Sequence, residues 1–227
     1  MSRDVEMSIW AHLDELRGRL VRAAIALAIG TAISVVFTQR ALQILILPLG
    51  NTIPQTIKPT ESFIVYFRIA MIGGVTLAMP VILYETLMYM LPGLLPHERK
   101  YLYFLLPGAT LCFAAGVAFA ALIMLPAAIT FMQSFLAQII DNRWTLENYI
   151  TFVTRVIFAM GIVFQTPLLI FFLAKLNVIT AKQLTRYRKY AILVIAIVAA
   201  VVTPTPDPIN MMIVMVPLYL LYEVGII

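Results

Sequence analysis

The sequence predicts an all-α integral membrane protein with six transmembrane helices, because of its composition, its uncharged runs and its charge distribution. Hydrophobic residues make up 62% of the 227 residues, and charged residues only 12%. An ordinary soluble domain carries about 25% charged residues. So much apolar surface exceeds what one soluble core of this size can bury. The composition therefore argues against a soluble globule and excludes a disordered chain, and a single cysteine excludes a disulfide scaffold.

Long runs without charge place the spans within one membrane domain. A hydrocarbon core of about 30 Å needs about 20 helical residues. An amphipathic cytoplasmic helix over residues 1–19 is expected before the first span. The six expected spans lie approximately at residues 20–37, 69–91, 101–125, 154–174, 190–203 and 209–224. Four prolines inside the candidate spans are expected to kink the helices, namely Pro80, Pro107, Pro167 and Pro217.

Two stretches do not fit one ordinary crossing each. Residues 101–140 carry no charge, and a helix of that length would reach about 60 Å, twice the thickness of the hydrocarbon core. We therefore expect one span that ends near Pro126, followed by an apolar helix that lies elsewhere. The fifth and sixth helices are short and reach roughly 20 Å each. They either cross a locally thinned bilayer, which we favour, or re-enter without crossing.

The distribution of basic residues predicts the orientation. Of the 16 Lys and Arg residues, eleven fall in the amino-terminal segment, the turn at 96–100 and the loop at 175–189, and five fall in the alternate segments. Cytoplasmic segments of membrane proteins carry the excess of Lys and Arg. Both termini are therefore expected in the cytoplasm. The first 22 residues mix acids with bases, unlike a signal peptide, so the first span is expected to remain uncleaved.

The motifs of several enzyme classes are missing from the sequence. His97 and Glu98 begin like a zinc-protease motif, but position 101 is Tyr and the second ligand is absent. The chain has two histidines in total, and it has neither a P-loop nor a G-x-S-x-G motif. We therefore predict no enzyme activity, no metal and no cofactor. Transport, channel or receptor functions remain.

Two charged motifs stand beside the spans. The first is the amphipathic stripe Ile9–Leu20, in which apolar residues recur at helical spacing and Glu15 is placed to pair with Arg19. The second is the turn Pro92–Lys100, where an early proline and Glu98 suit a helix start. On periodicity and capping alone, an interfacial helix and a helix cap are the alternatives to functional sites.

Six motifs follow one another from about residue 9 to residue 225, nearly the whole chain. They are His12-Leu13-x-Glu15-Leu16-Arg17-x-Arg19-Leu20, Pro80–Tyr84, Leu91–Lys100, Phe158–Pro167, Thr203–Asp207 and Pro217–Glu223. In this order they resemble the TatC family, the multi-span core of the twin-arginine protein translocase. Each motif alone is weak, but all of them agree in register with the spans placed above.

The resemblance implies a receptor for the twin-arginine signal peptides of proteins that are exported already folded. It implies six spans, cytoplasmic termini and a place in the inner membrane of a prokaryote. The single-span TatA and TatB subunits are the implied partners, in an oligomeric complex driven by the proton motive force and without nucleic acid. The implied recognition carboxylates are Glu15 and Glu98. The implied supporting residues of the cytoplasmic motifs are His12, Leu16, Arg17, Arg19, Pro92 and His97.

Two positions depart from the family pattern. Gln165 stands in the fourth span where the family often has Glu, so hydrogen bonding is kept without the charge. It is a candidate contact for a partner subunit, with a structural bond between helices as the alternative. Glu85 stands where the family usually has an uncharged residue. We expect it to be solvated or to line a pocket, without preference between the two.

A secondary transporter for a small solute or an ion is the alternative function. Such a protein needs a coupling site at the midplane of the membrane, usually between repeated halves. Only Gln165 and Glu85 are available for it, and no internal repeat is evident. Solute uptake by the purified chain without a partner would favour this alternative.

Overall fold

The computed structural model describes residues 9–50, 52–90, 102–135, 139, 144–175, 178–203 and 207–226. These residues form helices joined by turns and short loops, together with one isolated bridge between Gln55 and Thr145. The helices are α1 (Ile9–Ile46), α2 (Glu61–Met90), α3 (Leu102–Phe119), α4 (Leu125–Ser134), α5 (Leu146–Val163), α6 (Thr166–Lys175), α7 (Ala181–Arg186), α8 (Arg188–Val202) and α9 (Pro208–Ile226).

Five helical segments in the described part of the chain are long and apolar enough to cross a membrane. They are His12–Leu49, Glu61–Tyr89, Leu105–Ser134, Leu146–Ala174 and Pro208–Ile226. Helix α8, with 15 residues, is shorter than these. Its length corresponds to about 22 Å, as expected for a short fifth helix. The all-α, multi-span prediction is confirmed.

Helix α1 contains both the described part of the expected amphipathic helix, residues 9–19, and the expected first span, and it continues beyond residue 37 to Ile46. Residues 1–8 of the expected amphipathic helix lie outside the described residues. The amphipathic segment and the first span form one helix of 38 residues, which is about 57 Å long. The helix passes into a 3₁₀ turn at Leu47–Leu49 that contains Pro48, and Gly50 follows with a φ of 60°. The charged residues of the first turns are therefore rigidly continuous with the part of α1 that packs in the membrane.

Helix α1 packs closely on α2 along a row of small residues. Gly30, Ser34 and Thr38 are buried and lie one turn apart on the same face of α1. A Cβ atom built on Gly30 would lie 2.6 Å from the carbonyl oxygen of Gly74 on α2, too close for any side chain. Small residues at this spacing let two backbones approach each other in a membrane. This seam fixes how the two helices sit against each other at both of their ends.

The uncharged run over residues 101–140 does not divide as predicted. Instead of ending near Pro126 and giving way to a separate apolar helix, the helix continues through a π turn at Ala120–Met124 into α4. Pro126 lies in the first turn of α4. The π turn widens the backbone just before the proline, whose ring would otherwise clash in a regular helix. The result is one continuous helical segment of 30 residues, Leu105–Ser134.

Helix α5 supplies much of the core, and its continuation is broken by a proline. Tyr149, Ile150, Val153 and Met160 are fully buried along one face of α5. Pro167 has no N–H for the carbonyl of Val163, and the hydroxyl of Thr166 donates to that carbonyl at 2.5 Å instead. The chain turns at Phe164 and Gln165, before α6 begins at Thr166.

A buried carboxylate ties together the ends of α2 and α5. Glu61 is 2% exposed. Its carboxylate accepts hydrogen bonds from the backbone N–H of Ile57 at 2.8 Å and of Glu147, in the first turn of α5, at 2.6 Å. The neighbouring loop pairs with the approach to α5, because Gln55 donates to Trp144 at 2.8 Å and accepts from Leu146 at 2.9 Å. We call this the Glu61 end of the bundle, and the opposite end of the α1–α2 pair the Glu85 end.

The Gly30 seam predicts a destabilising substitution with a matched control. Gly30→Leu forces α1 away from Gly74, and overpacking of this kind costs about 1–3 kcal/mol of unfolding free energy. Gly108→Leu makes the same chemical change on α3 at a position where an added Cβ meets nothing within 4 Å. Thermal unfolding in detergent, followed by circular dichroism, is expected to show a lower Tm for Gly30→Leu alone. Equal Tm values for the two variants would contradict this account of the seam.

Candidate functional site

The Glu85 end brings charged side chains of α1 and α2 together. Glu15, Arg19 and Arg22 recur at intervals of four and three residues along α1, so they lie on one face of the helix. Glu85 comes from the last third of α2. Because the seam holds the two helices side by side, this face of α1 is directed towards Glu85.

Arg19 connects two carboxylates. Its Nε donates to Oε1 of Glu15 at 3.0 Å, and a second guanidinium nitrogen contacts the same oxygen. Its third nitrogen donates to Oε2 of Glu85 at 3.2 Å. Arg22 also pairs with Glu85, at 3.2 Å from Oε1 and 3.1 Å from Oε2. The result is an ion-pair cluster of two carboxylates and two guanidinium groups, without net charge, that extends across the α1–α2 contact.

The four side chains of this ion-pair cluster differ in exposure, and the difference indicates different roles. The side chain of Glu85 is 7% exposed and that of Arg19 is 13% exposed, whereas Glu15 is 26% and Arg22 is 59% exposed. A buried carboxylate between membrane helices requires a cation beside it. Glu85 is therefore the buried carboxylate of the cluster, held by two arginines, and Glu15 is the carboxylate that an outside group can reach.

His12 extends the site by one further turn of α1. Its ring stacks on that of Tyr89 of α2, with the ring centroids 4.5 Å apart and an angle of 20° between the planes. Leu16 and Arg17 are exposed instead. Of the predicted supporting residues, the structure therefore brings His12 and Arg19 into contact with α2. Pro92, His97 and Glu98 lie outside the described residues.

Glu85 is the site residue that sequence reasoning did not place. The prediction that Glu85 is solvated is wrong, because Glu85 is buried and paired with two arginines. One signal was present in the sequence. An acid inside an otherwise uncharged span requires a partner, and α1 carries arginines at the same end. The contact itself joins positions 66 residues apart, and no local spacing predicts it.

Gln165 forms a second polar site, in the turn between α5 and α6. Its Nε2 donates to the carbonyl of Ala109 on α3 at 3.0 Å, so the structural bond between helices is present. Its Oε1 is buried and has no hydrogen-bond partner among the described residues. A buried acceptor without a donor costs about 1–3 kcal/mol. Gln165 is therefore a polar site whose acceptor is not satisfied within the described residues.

The described residues contain no group of three or more His, Cys, Asp and Glu side chains that could hold a metal ion. Both polar sites instead present oxygen acceptors. Glu15 offers a charged acceptor suited to a guanidinium, whereas Gln165 offers a neutral one suited to a hydroxyl, an amide or a protonated acid.

Comparison with known proteins gives a consistent result. A family model described as Sec-independent protein translocase protein (TatC) matches residues 11–217. The chain is 36% identical over 225 residues to the Sec-independent protein translocase protein TatC of Carboxydothermus hydrogenoformans, covering 98% of this chain and 93% of that protein. It is 35% identical over 227 residues to the protein of the same name from Deinococcus radiodurans, covering 96% and 84%.

A solved structure is similar over almost the same range. The crystal structure of the twin arginine translocase receptor TatC in DDM has a TM-score of 0.82 and 34% sequence identity to this chain, covering 95% of this chain and 97% of that one.

Proposed function

This chain belongs to the TatC family of Sec-independent protein translocase proteins, and we propose that it is the receptor that binds twin-arginine signal peptides at the Glu85 end. Members of the family are subunits of a translocase, not catalytic enzymes. Membership decides against the alternative of a small-solute or ion transporter. It also agrees with the motifs in the sequence, which lie in the same order along the chain.

One observation carries the proposed site. Glu15 is a partly exposed carboxylate that already holds a guanidinium, that of Arg19, through two nitrogens on one oxygen. A guanidinium donates in a planar fork that matches a carboxylate, and a lysine ammonium cannot copy that fork. The chemistry of Glu15 therefore suits an arginine of a signal peptide. We propose Glu98, in the segment that follows α2, as the carboxylate for the second arginine.

We further propose the membrane arrangement and the partners. Both termini lie in the cytoplasm, because the amino-terminal segment, the turn at 96–100 and the loop at 175–189 carry the excess of basic residues. The membrane is the inner membrane of a prokaryote, as the family resemblance implies. The single-span TatA and TatB subunits associate with the chain in an oligomeric complex. Gln165 is the proposed polar contact for one of them, since its buried oxygen lacks a donor in the described part of the chain.

The twin-arginine site is tested by comparing two synthetic signal peptides, one with Arg-Arg and one with Lys-Lys, on the detergent-purified chain. We expect tighter binding of the Arg-Arg peptide. Glu15→Gln and Glu98→Gln are each expected to weaken it roughly tenfold or more, because a hydrogen bond to a charged group contributes about 1.5–3 kcal/mol. Asp14→Asn is the matched control, since Asp14 is an exposed acid next to Glu15. Equal binding of both peptides by the unsubstituted chain would contradict the proposal.

The partner contact of Gln165 is tested by Gln165→Leu. The change removes the group that would receive a donor from TatA or TatB, so we expect less of that subunit to co-purify with the chain. The bond to Ala109 is lost as well, and interhelical bonds of this kind average about 0.6 kcal/mol. Thr154→Val is the control, because the buried hydroxyl of Thr154 bonds within α5, to Ile150 at 2.6 Å. Unchanged co-purification with Gln165→Leu would restrict Gln165 to its structural bond.

A further inference from the structure

We propose that Glu85 is a positioning residue that makes Glu15 available to a signal peptide, by holding Arg19 when Arg19 is displaced from Glu15. This role rests on the proposed binding of a twin-arginine peptide at Glu15. It makes Glu85 a determinant of affinity that does not itself touch the peptide.

The starting point is that Glu15 is already occupied by an arginine of its own chain. An incoming guanidinium must compete with Arg19, whose Nε lies 3.0 Å from Oε1 of Glu15. Both contacts from Arg19 fall on that single oxygen. A peptide arginine that approaches along the exposed side can use both carboxylate oxygens in a bidentate pair, which is the stronger geometry. The competition for Glu15 therefore favours the peptide arginine, provided that the guanidinium of Arg19 has another carboxylate to pair with.

Glu85 provides that carboxylate. Arg19 already donates to Oε2 of Glu85 at 3.2 Å, so it can leave Glu15 without losing its last carboxylate. Arg19 is only 13% exposed. Without Glu85, its release from Glu15 would leave a guanidinium in a poorly hydrated position with no anion beside it among the described residues. Such a charge is costly in a membrane protein, and Arg19 would therefore hold on to Glu15.

Arg22 completes the exchange. It shares Glu85 with Arg19, at 3.2 and 3.1 Å from the two oxygens, yet its side chain is 59% exposed. An exposed ion pair contributes little to stability, because water replaces the lost partner. Arg22 can therefore turn into water and give both oxygens of Glu85 to Arg19. Throughout the exchange the buried carboxylate keeps a cation, and no poorly hydrated charge is left alone.

Two substitutions within the same cluster have opposite expected effects. Glu85→Gln removes the charge that receives Arg19, so Arg19 competes harder for Glu15. We expect the Arg-Arg peptide to bind roughly tenfold more weakly. Arg22→Gln removes the rival for Glu85, so Arg19 is drawn away from Glu15. We expect the peptide to bind a few-fold more tightly, the size of a weak surface ion pair. Glu85→Asp keeps the charge and is expected to restore most of the affinity lost in Glu85→Gln.

The decisive variant combines Glu85→Gln with Arg19→Gln. If Glu85 acts only through Arg19, removing the competitor restores affinity for the Arg-Arg peptide to within about threefold of the unsubstituted chain. If affinity stays as low as in Glu85→Gln, then Glu85 either touches the peptide or supports the fold, and the proposal is overturned. Unchanged binding in Glu85→Gln alone overturns it too. Tm measured for each variant in the same detergent identifies any loss that comes from unfolding.

The same experiment separates this proposal from the proposed function. A chain that prefers the Arg-Arg peptide, and loses that preference in Glu15→Gln, is the receptor whatever Glu85 does. In that case a failure of the combined variant removes only the role of Glu85. A chain without any Arg-Arg preference loses both proposals together.

Discussion

A carboxylate buried between two membrane helices must keep a cation beside it, and the Glu85 end is organised around that requirement. The side chain of Glu85 is 7% exposed and has two arginines within hydrogen-bond distance, both from α1. Those arginines lie on the same helix as Glu15. The arginine that the buried Glu85 requires, Arg19, is therefore also the one that occupies the more exposed Glu15. The proposed binding of a peptide arginine at Glu15 thus depends on the charge of Glu85, which the peptide is not expected to touch.

The rest of the fold keeps this arrangement in register. Over its length of 38 residues α1 is continuous, so a shift at the Gly30 seam would move Arg19 relative to Glu85. At the opposite end, Glu61 bonds backbone groups on both sides of the contact between α2 and α5. Helix α2 is therefore fixed by α1 along one face and by a buried carboxylate at its start. The two acids Glu61 and Glu85 hold opposite ends of the same helix.

Sequence reasoning predicted the architecture well because its signals are one-dimensional. Uncharged runs, their lengths and the alternation of basic segments are properties of the chain itself, and they give an all-α multi-span protein. Contacts across the bundle leave no such trace. Gly108, Cys112 and Gly116 have the small-residue spacing of a packing stripe on α3, yet an added Cβ at Gly108 meets nothing within 4 Å, whereas one at Gly116 would lie 2.7 Å from the carbonyl oxygen of Met160. The sequence alone does not show that the row of Gly30, Ser34 and Thr38 is the one that faces α2.

The candidate site shows the same division. Glu15 and Arg19 were expected to pair because their spacing is local, and the pair is present. The partner of Glu85 depends on how α1 lies against α2, and periodicity within either helix does not contain that information. Likewise, the π turn before Pro126 could not be distinguished from a helix end, since a proline signals both. Gln165 was found as a polar residue in a span, but only the structure shows that its buried oxygen has no hydrogen-bond partner among the described residues.

The most direct measurement is a structure of the chain with a twin-arginine peptide bound, determined by electron cryo-microscopy in a lipid nanodisc. The account predicts a peptide guanidinium within hydrogen-bond distance of both oxygens of Glu15, with Arg19 on Glu85 and Arg22 turned towards water. A complex in which Arg19 still occupies Glu15, and the peptide arginines bind elsewhere, would contradict the central claim that Glu15 is released to the peptide.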